Sequence, residues 1–214
     1  MAAMDARPVN AAGKIIEVRP ETTASSLEQP DDTSFSAQSS APPEWDETCF
    51  YSAPIDRKGT EKRQHSDAFL RSIVRPAVRK LATPLEVVRA DSLPSSPITG
   101  DVVEHVYRSR LLIADLSFHN PNVILEVGLR MAIGRPFVLL SRTEDEIPSN
   151  LKEQRILRID TSGKWSFMEG QATCRDELVR YATWALSKVG QASSPIQKLF
   201  PDYRRYLGPE DQRS

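Results

Sequence analysis

Two carboxylates eleven positions apart, Asp115 and Glu126, stand in the most apolar stretch of the chain. Asp115 closes the run Leu111-Leu-Ile-Ala, and Glu126 lies among Val123, Ile124, Leu125, Val127 and Leu129. A carboxylate in such company is costly unless it is paired or functional. Two acids facing one crevice suit the cleavage of a glycosidic bond. One stabilises the positive charge developing at the anomeric carbon, or bonds to it. The other raises the pKa of the first or manages the leaving-group proton. Water as acceptor gives hydrolysis, and a second base gives transfer. Asn122 and Val123, at a helix start, offer backbone N–H groups for a phosphate or a sugar hydroxyl.

Structural readings of the same residues stand beside these. Asp115 at a strand end can cap the following loop, and Glu126 can pair with Arg130 one helical turn on. Asn120 and Asn122 around Pro121 can be ordinary turn and cap residues, a reading that suits Asn120 in particular. His119 reads as a solvated loop residue. His65 and His105 read as surface residues, and Cys49 as a small buried strand residue. The basic loop with Arg57, Lys58, Lys62 and Arg63 reads as solvated, though it follows the first strand and could reach a ligand phosphate.

The elements that position the two acids follow from periodicity. Leu111–Asp115 and Pro136–Leu140 read as buried strands, joined by a helix that ends at Gly134. Strands are also expected near 48–53, 85–89 and 155–159. A helix from about Ser66 carries Phe69, Leu70, Ile73, Val74, Ala77, Val78 and Leu81 on one face, and Pro76 should kink it. Another spans Gly100–Ser109 with Val102, Val103, Val106 and Tyr107 inward. Asp145–Leu151 reads as a loop entering a short helix, and a last helix runs from about Thr173 to Val189. Alternating strands and helices predict a five-stranded, mainly parallel, doubly wound α/β sheet of flavodoxin or Rossmann type, over residues 46–190. If its strands are parallel, Asp115 and the helix start share the edge where open α/β folds bind ligands.

Composition narrows the rest. Residues 1–45 are rich in Ser, Thr, Ala, Pro and Gln, with three basic and seven acidic side chains. They read as a disordered acidic arm in which only Lys14–Val18 could form a strand. Residues 191–214, with Pro195, Pro201 and Pro209, read as a C-terminal tail. The net charge of −1 suggests neither nucleic acid nor an anionic membrane as partner. No apolar run approaches a membrane span, and Met1–Arg7 has no signal-peptide core. Two cysteines make no disulfide framework, and no Cys or His cluster has metal-ligand spacing. A cytoplasmic protein without metal or cofactor is the expectation.

Taken together, Ala114-Asp-Leu, Asn120-Pro-Asn-Val, Glu126-Val-Gly and Gly134-Arg-Pro resemble the nucleoside 2-deoxyribosyltransferase-like superfamily, and within it TIR-like bacterial proteins. Cys49–Pro54, Asp91 and Asp145–Leu151 fit the same pattern, so the likeness covers roughly residues 48–160. The resemblance implies Glu126 as the nucleophile that attacks an anomeric carbon, with Asp115 orienting Glu126, the base or the sugar. It implies that Tyr51, Ser52, Ala53 and Pro54 line the base or sugar pocket, and that Asp91, Asn120 and Asn122 bind substrate. Relatives often carry Met-Pro-Phe or Gly-Pro-Phe where this chain has Ala53-Pro54-Ile55.

The implied activity is cleavage of an N-glycosidic bond in a nucleoside, a nucleotide or NAD, by hydrolysis or base exchange. By resemblance this fits a bacterial antiphage or toxin-like effector. Two alternatives remain open: a non-catalytic nucleotide sensor, and a TIR-like self-assembly module. A homo-oligomer, or a protein partner held through the N-terminal arm, is compatible with each.

Overall fold

β3, Leu111–Asp115, is the middle strand of five, and its side chains are buried on both faces. Unbroken apolar character is what a parallel strand covered by helices on both sides requires. The structure, a computed structural model, describes residues 45–93 and 100–187 together with Ile196. The other strands are β1 (Thr48–Ser52), β2 (Glu86–Arg89), β4 (Phe137–Arg142) and β5 (Ile156–Ile159). All are parallel, in the order β2-β1-β3-β4-β5. This is the doubly wound α/β sheet that the alternation of elements predicts. Its strand order reverses between β1 and β3, the switch point beside which such sheets bind ligands.

One face of the sheet is covered by α1 (Glu61–Phe69), a π turn (Leu70–Val74), α2 (Arg75–Val78) and α5 (Lys164–Leu186). They pack on Cys49, Tyr51, Leu111, Ile113 and Leu140. On the other face α3 (Gly100–Arg108) and α4 (Pro121–Ile133) pack on Phe50, Leu112, Ala114 and Leu139. Successive strand residues therefore serve opposite cores.

Several element boundaries differ from those the pattern suggests. α1 begins at Glu61, inside the stretch read as a polar loop, because Thr60 caps it by accepting from the Arg63 N–H. Pro76 is accommodated by the π turn, in which the Arg75 N–H reaches back to Leu70 O. The Ser72 carbonyl, which Pro76 cannot serve, accepts from Arg175 of α5 instead. α5 starts at Lys164 rather than near Thr173, since its first turns leave Trp165 and Met168 exposed and show no apolar stripe. In α3 the inward position falls to His105, while Val103 is exposed. α4 ends at Gly134, whose φ of 75° is the left-handed stop that glycine favours. The expected acidic arm, its Lys14–Val18 strand, most of the loop before α3 and the C-terminal tail lie outside the described residues.

Candidate functional site

Strand alternation decides where each acid goes. Tyr51 pairs with Ile113, and Ser52 with Ala114. Asp115, two residues beyond Ile113, falls on the α1/α5 side with Tyr51; Ser52 falls on the α3/α4 side. Asp115 is fully buried there, and three donors converge on it. The Tyr51 hydroxyl donates to Oδ2 at 3.3 Å, His65 Nε2 donates to the same oxygen at 2.9 Å, and the Ser117 N–H donates to Oδ1 at 3.1 Å. Burial, and then the adjacent Asp115 charge, push the Tyr51 phenol well above its ordinary pKa. Tyr51 is thus a neutral donor.

Glu126 occupies the opposite face. It sits half-buried in the second turn of α4 and lines a narrow recess with Asn122, Leu125, Leu129 and the α3 valines 102, 103 and 106. Burial raises its carboxyl pKa, and the neighbouring Ser52 hydroxyl pulls it back in part. Ser52 Oγ itself is sealed and makes no hydrogen bond of full geometry, so its influence on Glu126 is one of proximity. Glu126 forms no ion pair among the described residues. Arg130 is not its partner: that guanidinium is fully buried and donates to the carbonyls of Val106, Ser109 and Pro136 at 2.6–3.1 Å. It holds α4 against the end of α3, where a cation suits the helix dipole. Burial lowers its pKa to about 9.

The single crevice expected to gather Asp115, Glu126, Asn122 and Tyr51–Pro54 is therefore divided by the sheet. Ser52, Asn122 and Glu126 share the switch point on one side, whereas Tyr51 and Asp115 lie on the other. Ala53 and Pro54 follow β1 as buried loop residues. Asn120 caps α4 by accepting from the Asn122 N–H at 3.0 Å, so that N–H is not free for a ligand. Asp91 lines neither recess. Its carboxylate is held by Arg89 at 2.7 Å and by Arg63 at 2.7 Å, with Asp67 bridging the same two arginines. Those contacts hold the Asp91 carboxyl below its usual range, against the opposing effect of burial. Cys49 is a buried strand residue, its thiol pushed up to about 12 by burial.

The residue the sequence concealed is His65. Read as a surface group, it is buried against Phe69, with ring centroids 4.0 Å apart, and meets the edge of Phe118 at 5.2 Å. It lines a cleft of about 480 Å³ between α1, the end of β4 and the start of α5. No local motif marks it, because it reaches Asp115 across fifty positions of sequence. His105 is buried as well, with Nδ1 on the Asp101 carbonyl at 2.7 Å. His119 is exposed, as expected of a loop histidine.

The loop after β3 is strained. Phe118 and His119 hold φ of 61° and 50°, costly for residues with a Cβ. The conformation is fixed from outside: Asp145 accepts from the Phe118 N–H, and Arg142, paired with Asp145, lies 3.7 Å over the Phe118 ring.

No family model and no curated protein matches the chain. Among solved structures, an oxidoreductase from Corynebacterium diphtheriae superposes on 65% of this chain and 98% of its own, at 14% identity and a TM-score of 0.39. So loose a likeness carries no argument about chemistry. No helix among the described residues is long and apolar enough to cross a membrane.

Proposed function

We propose that this chain cleaves an N-glycosidic bond in a nucleoside, nucleotide or NAD, with Glu126 as nucleophile. The observation that carries the reading is Glu126 itself: a half-buried acid without an ion pair among the described residues, its pKa raised, beside the sheet's switch point and a sealed serine hydroxyl. A structural acid in apolar surroundings would be paired. In the reaction a Glu126 oxygen bonds to the anomeric carbon as the carbon–nitrogen bond breaks, and the base leaves with the electron pair and takes up a proton. Water then displaces the sugar and restores the carboxylate; a second base in place of water gives exchange. A raised pKa makes the carboxylate the better nucleophile. Asp115 acts from across the sheet, through Tyr51 and the strand end, rather than on Glu126 directly. No metal or cofactor enters this scheme.

The test is to incubate the protein with NAD, nucleoside monophosphates, deoxynucleoside monophosphates and nucleosides, and to measure released base by chromatography. Glu126→Gln preserves size but cannot bond to the sugar, so release falls by about three orders of magnitude or more. Undiminished release by the variant overturns the reading. Exposed Val103, Leu125 and Leu129 around the recess favour a second reading, a self-assembly module. Sedimentation of a defined oligomer, with no base released from any substrate, would establish that one instead.

A further inference from the structure

Among the described residues five large apolar side chains are exposed, and three of them, Val103, Leu125 and Leu129, surround the Glu126 recess. Along α4 the exposed positions are Pro121, Asn122, Leu125, Gly128 and Leu129, and none is charged. A solvated helix face ordinarily carries charge. Glu126 is the one charged side chain lining the recess among the described residues. Beside it on α3, exposed Glu104 and Arg108 hold each other at 3.1 Å. An apolar patch with polar groups at its margin marks a docking surface.

The chain itself supplies a segment to fit it. α5 ends at Leu186 on the α1/α5 face. Ten positions further on, Ile196 packs, partly buried, against the core of the other face, in the cluster that includes Val102 and Val106 of the recess lining. By Ile196 the chain has therefore come round to the patch's side of the sheet. Residues 197–214 follow and lie outside the described residues. Their sequence continues an apolar series from Ile196 through Leu199, Phe200, Tyr203 and Leu207, at the spacing of one helical face. Pro201 and Asp202 suit the first turn of a helix, and Gly208 and Pro209 its stop. Arg204 and Arg205 adjoin the series, and Glu126 has no ion pair among the described residues.

We propose that residues 197–214 dock on this patch, with the apolar series 199–207 on Val103, Leu125 and Leu129 and an arginine of the 204–205 pair beside Glu126. Tethering favours this segment over a separate partner. Ile196 already anchors it on that face, so its effective concentration at the patch is on the order of millimolar. Undocked, the apolar series would stand in water and the recess would keep an unpaired acid. The chain thus covers its own Glu126 recess, whether or not that acid is a nucleophile.

Amide hydrogen exchange of the full chain tests this, read by NMR at residues 199–207, together with Overhauser contacts from the Tyr203 ring to the Leu125 and Leu129 methyls. The unaltered protein should show protection and those contacts at every concentration. Tyr203→Glu with Leu207→Glu should speed exchange at 199–207 about tenfold or more, the weight of two apolar side chains returned to water. Leu125→Asp, at an exposed position outside the core, should do the same from the other side. Arg204→Gln with Arg205→Gln should speed it less, about twofold to fivefold, because the pair with Glu126 is partly solvated. Random-coil exchange at 199–207 in the unaltered protein would overturn the proposal. So would protection that survives Leu125→Asp. Contacts that vanish on dilution, with a dimer in sedimentation, would overturn it too and assign the patch to a second copy. None of these readouts uses base release, so failure of the Glu126 chemistry leaves the test intact.

Discussion

At the carboxyl edge of the sheet, the two faces treat their acids in opposite ways. On the α1/α5 face Asp115 has no exposure and three donors, one of which, His65, is itself held by aromatic contacts with Phe69 and Phe118. On the α3/α4 face Glu126 is half-buried and, among the described residues, without an ion pair and next to a serine hydroxyl that finds no good partner. The first arrangement is a satisfied network, which rigidifies; the second leaves an electrostatic cost unrelieved. Costs of that kind persist where function holds them in place. Eleven residues of sequence separate the acids, yet the chain passes from one face to the other between them.

Arg130 offers the harshest way to break the contrast, since the α3/α4 recess depends on it. Arg130→Met keeps apolar bulk but strips the carbonyls of Val106, Ser109 and Pro136 of their donor. The expected loss is about 3–5 kcal/mol in denaturant unfolding, the range for breaking a buried charged group's contacts. A loss below about 1 kcal/mol would show that the α3–α4 seam is held by its valines alone. Asp115→Asn should cost less, about 1–3 kcal/mol, because the amide keeps one acceptor but turns an N–H toward Tyr51 or His65. Its near-ultraviolet circular dichroism should change with the loosening of Tyr51.

Much of this is legible in the sequence. The run Leu111–Asp115 is apolar at every position before its acid, and only a strand buried on both faces reads that way. Gly134 announces the end of α4, and Asn120 the beginning. The face on which Asp115 falls was not legible, because it depends on strand register, which pairing across β1 and β3 sets. His65 was hidden for a related reason: its neighbours in sequence are Gln64 and Ser66, while its partner lies on β3. The start of α5 was obscured by Trp165 and Met168, whose exposure breaks the apolar period.

Asp91 sharpens the comparison from outside both recesses. The resemblance assigns it to substrate, whereas its carboxylate bridges Arg89 and Arg63. Asp91→Asn should cost about 1 kcal/mol, modest because the pair is partly solvated. Because the folded carboxyl has a lowered pKa, its contribution is present at neutral pH and is lost as pH falls below the ordinary value of 3.8. Native and variant stabilities should therefore converge in acid. A rise in KM with stability unchanged would return Asp91 to the substrate.

The smallest expected effect has the opposite sign. Glu126 is raised above its ordinary value of 4.5 by burial, so the folded state binds its proton more tightly than the unfolded chain does. Its contribution to stability is then fully present below pH 4.5 and is lost as pH rises through the folded pKa. Glutamine cannot ionise and keeps roughly the same shape. Glu126→Gln should thus melt higher than the native protein at pH 7, with the gap closing as the pH is lowered past the unfolded value. Thermal unfolding from pH 3 to 8 measures this directly. If both acids were structural, Glu126→Gln would lose stability at neutral pH as Asp115→Asn does. A gain in stability, if the same substitution also abolishes base release, would place Glu126 among residues kept for chemistry at the expense of the fold.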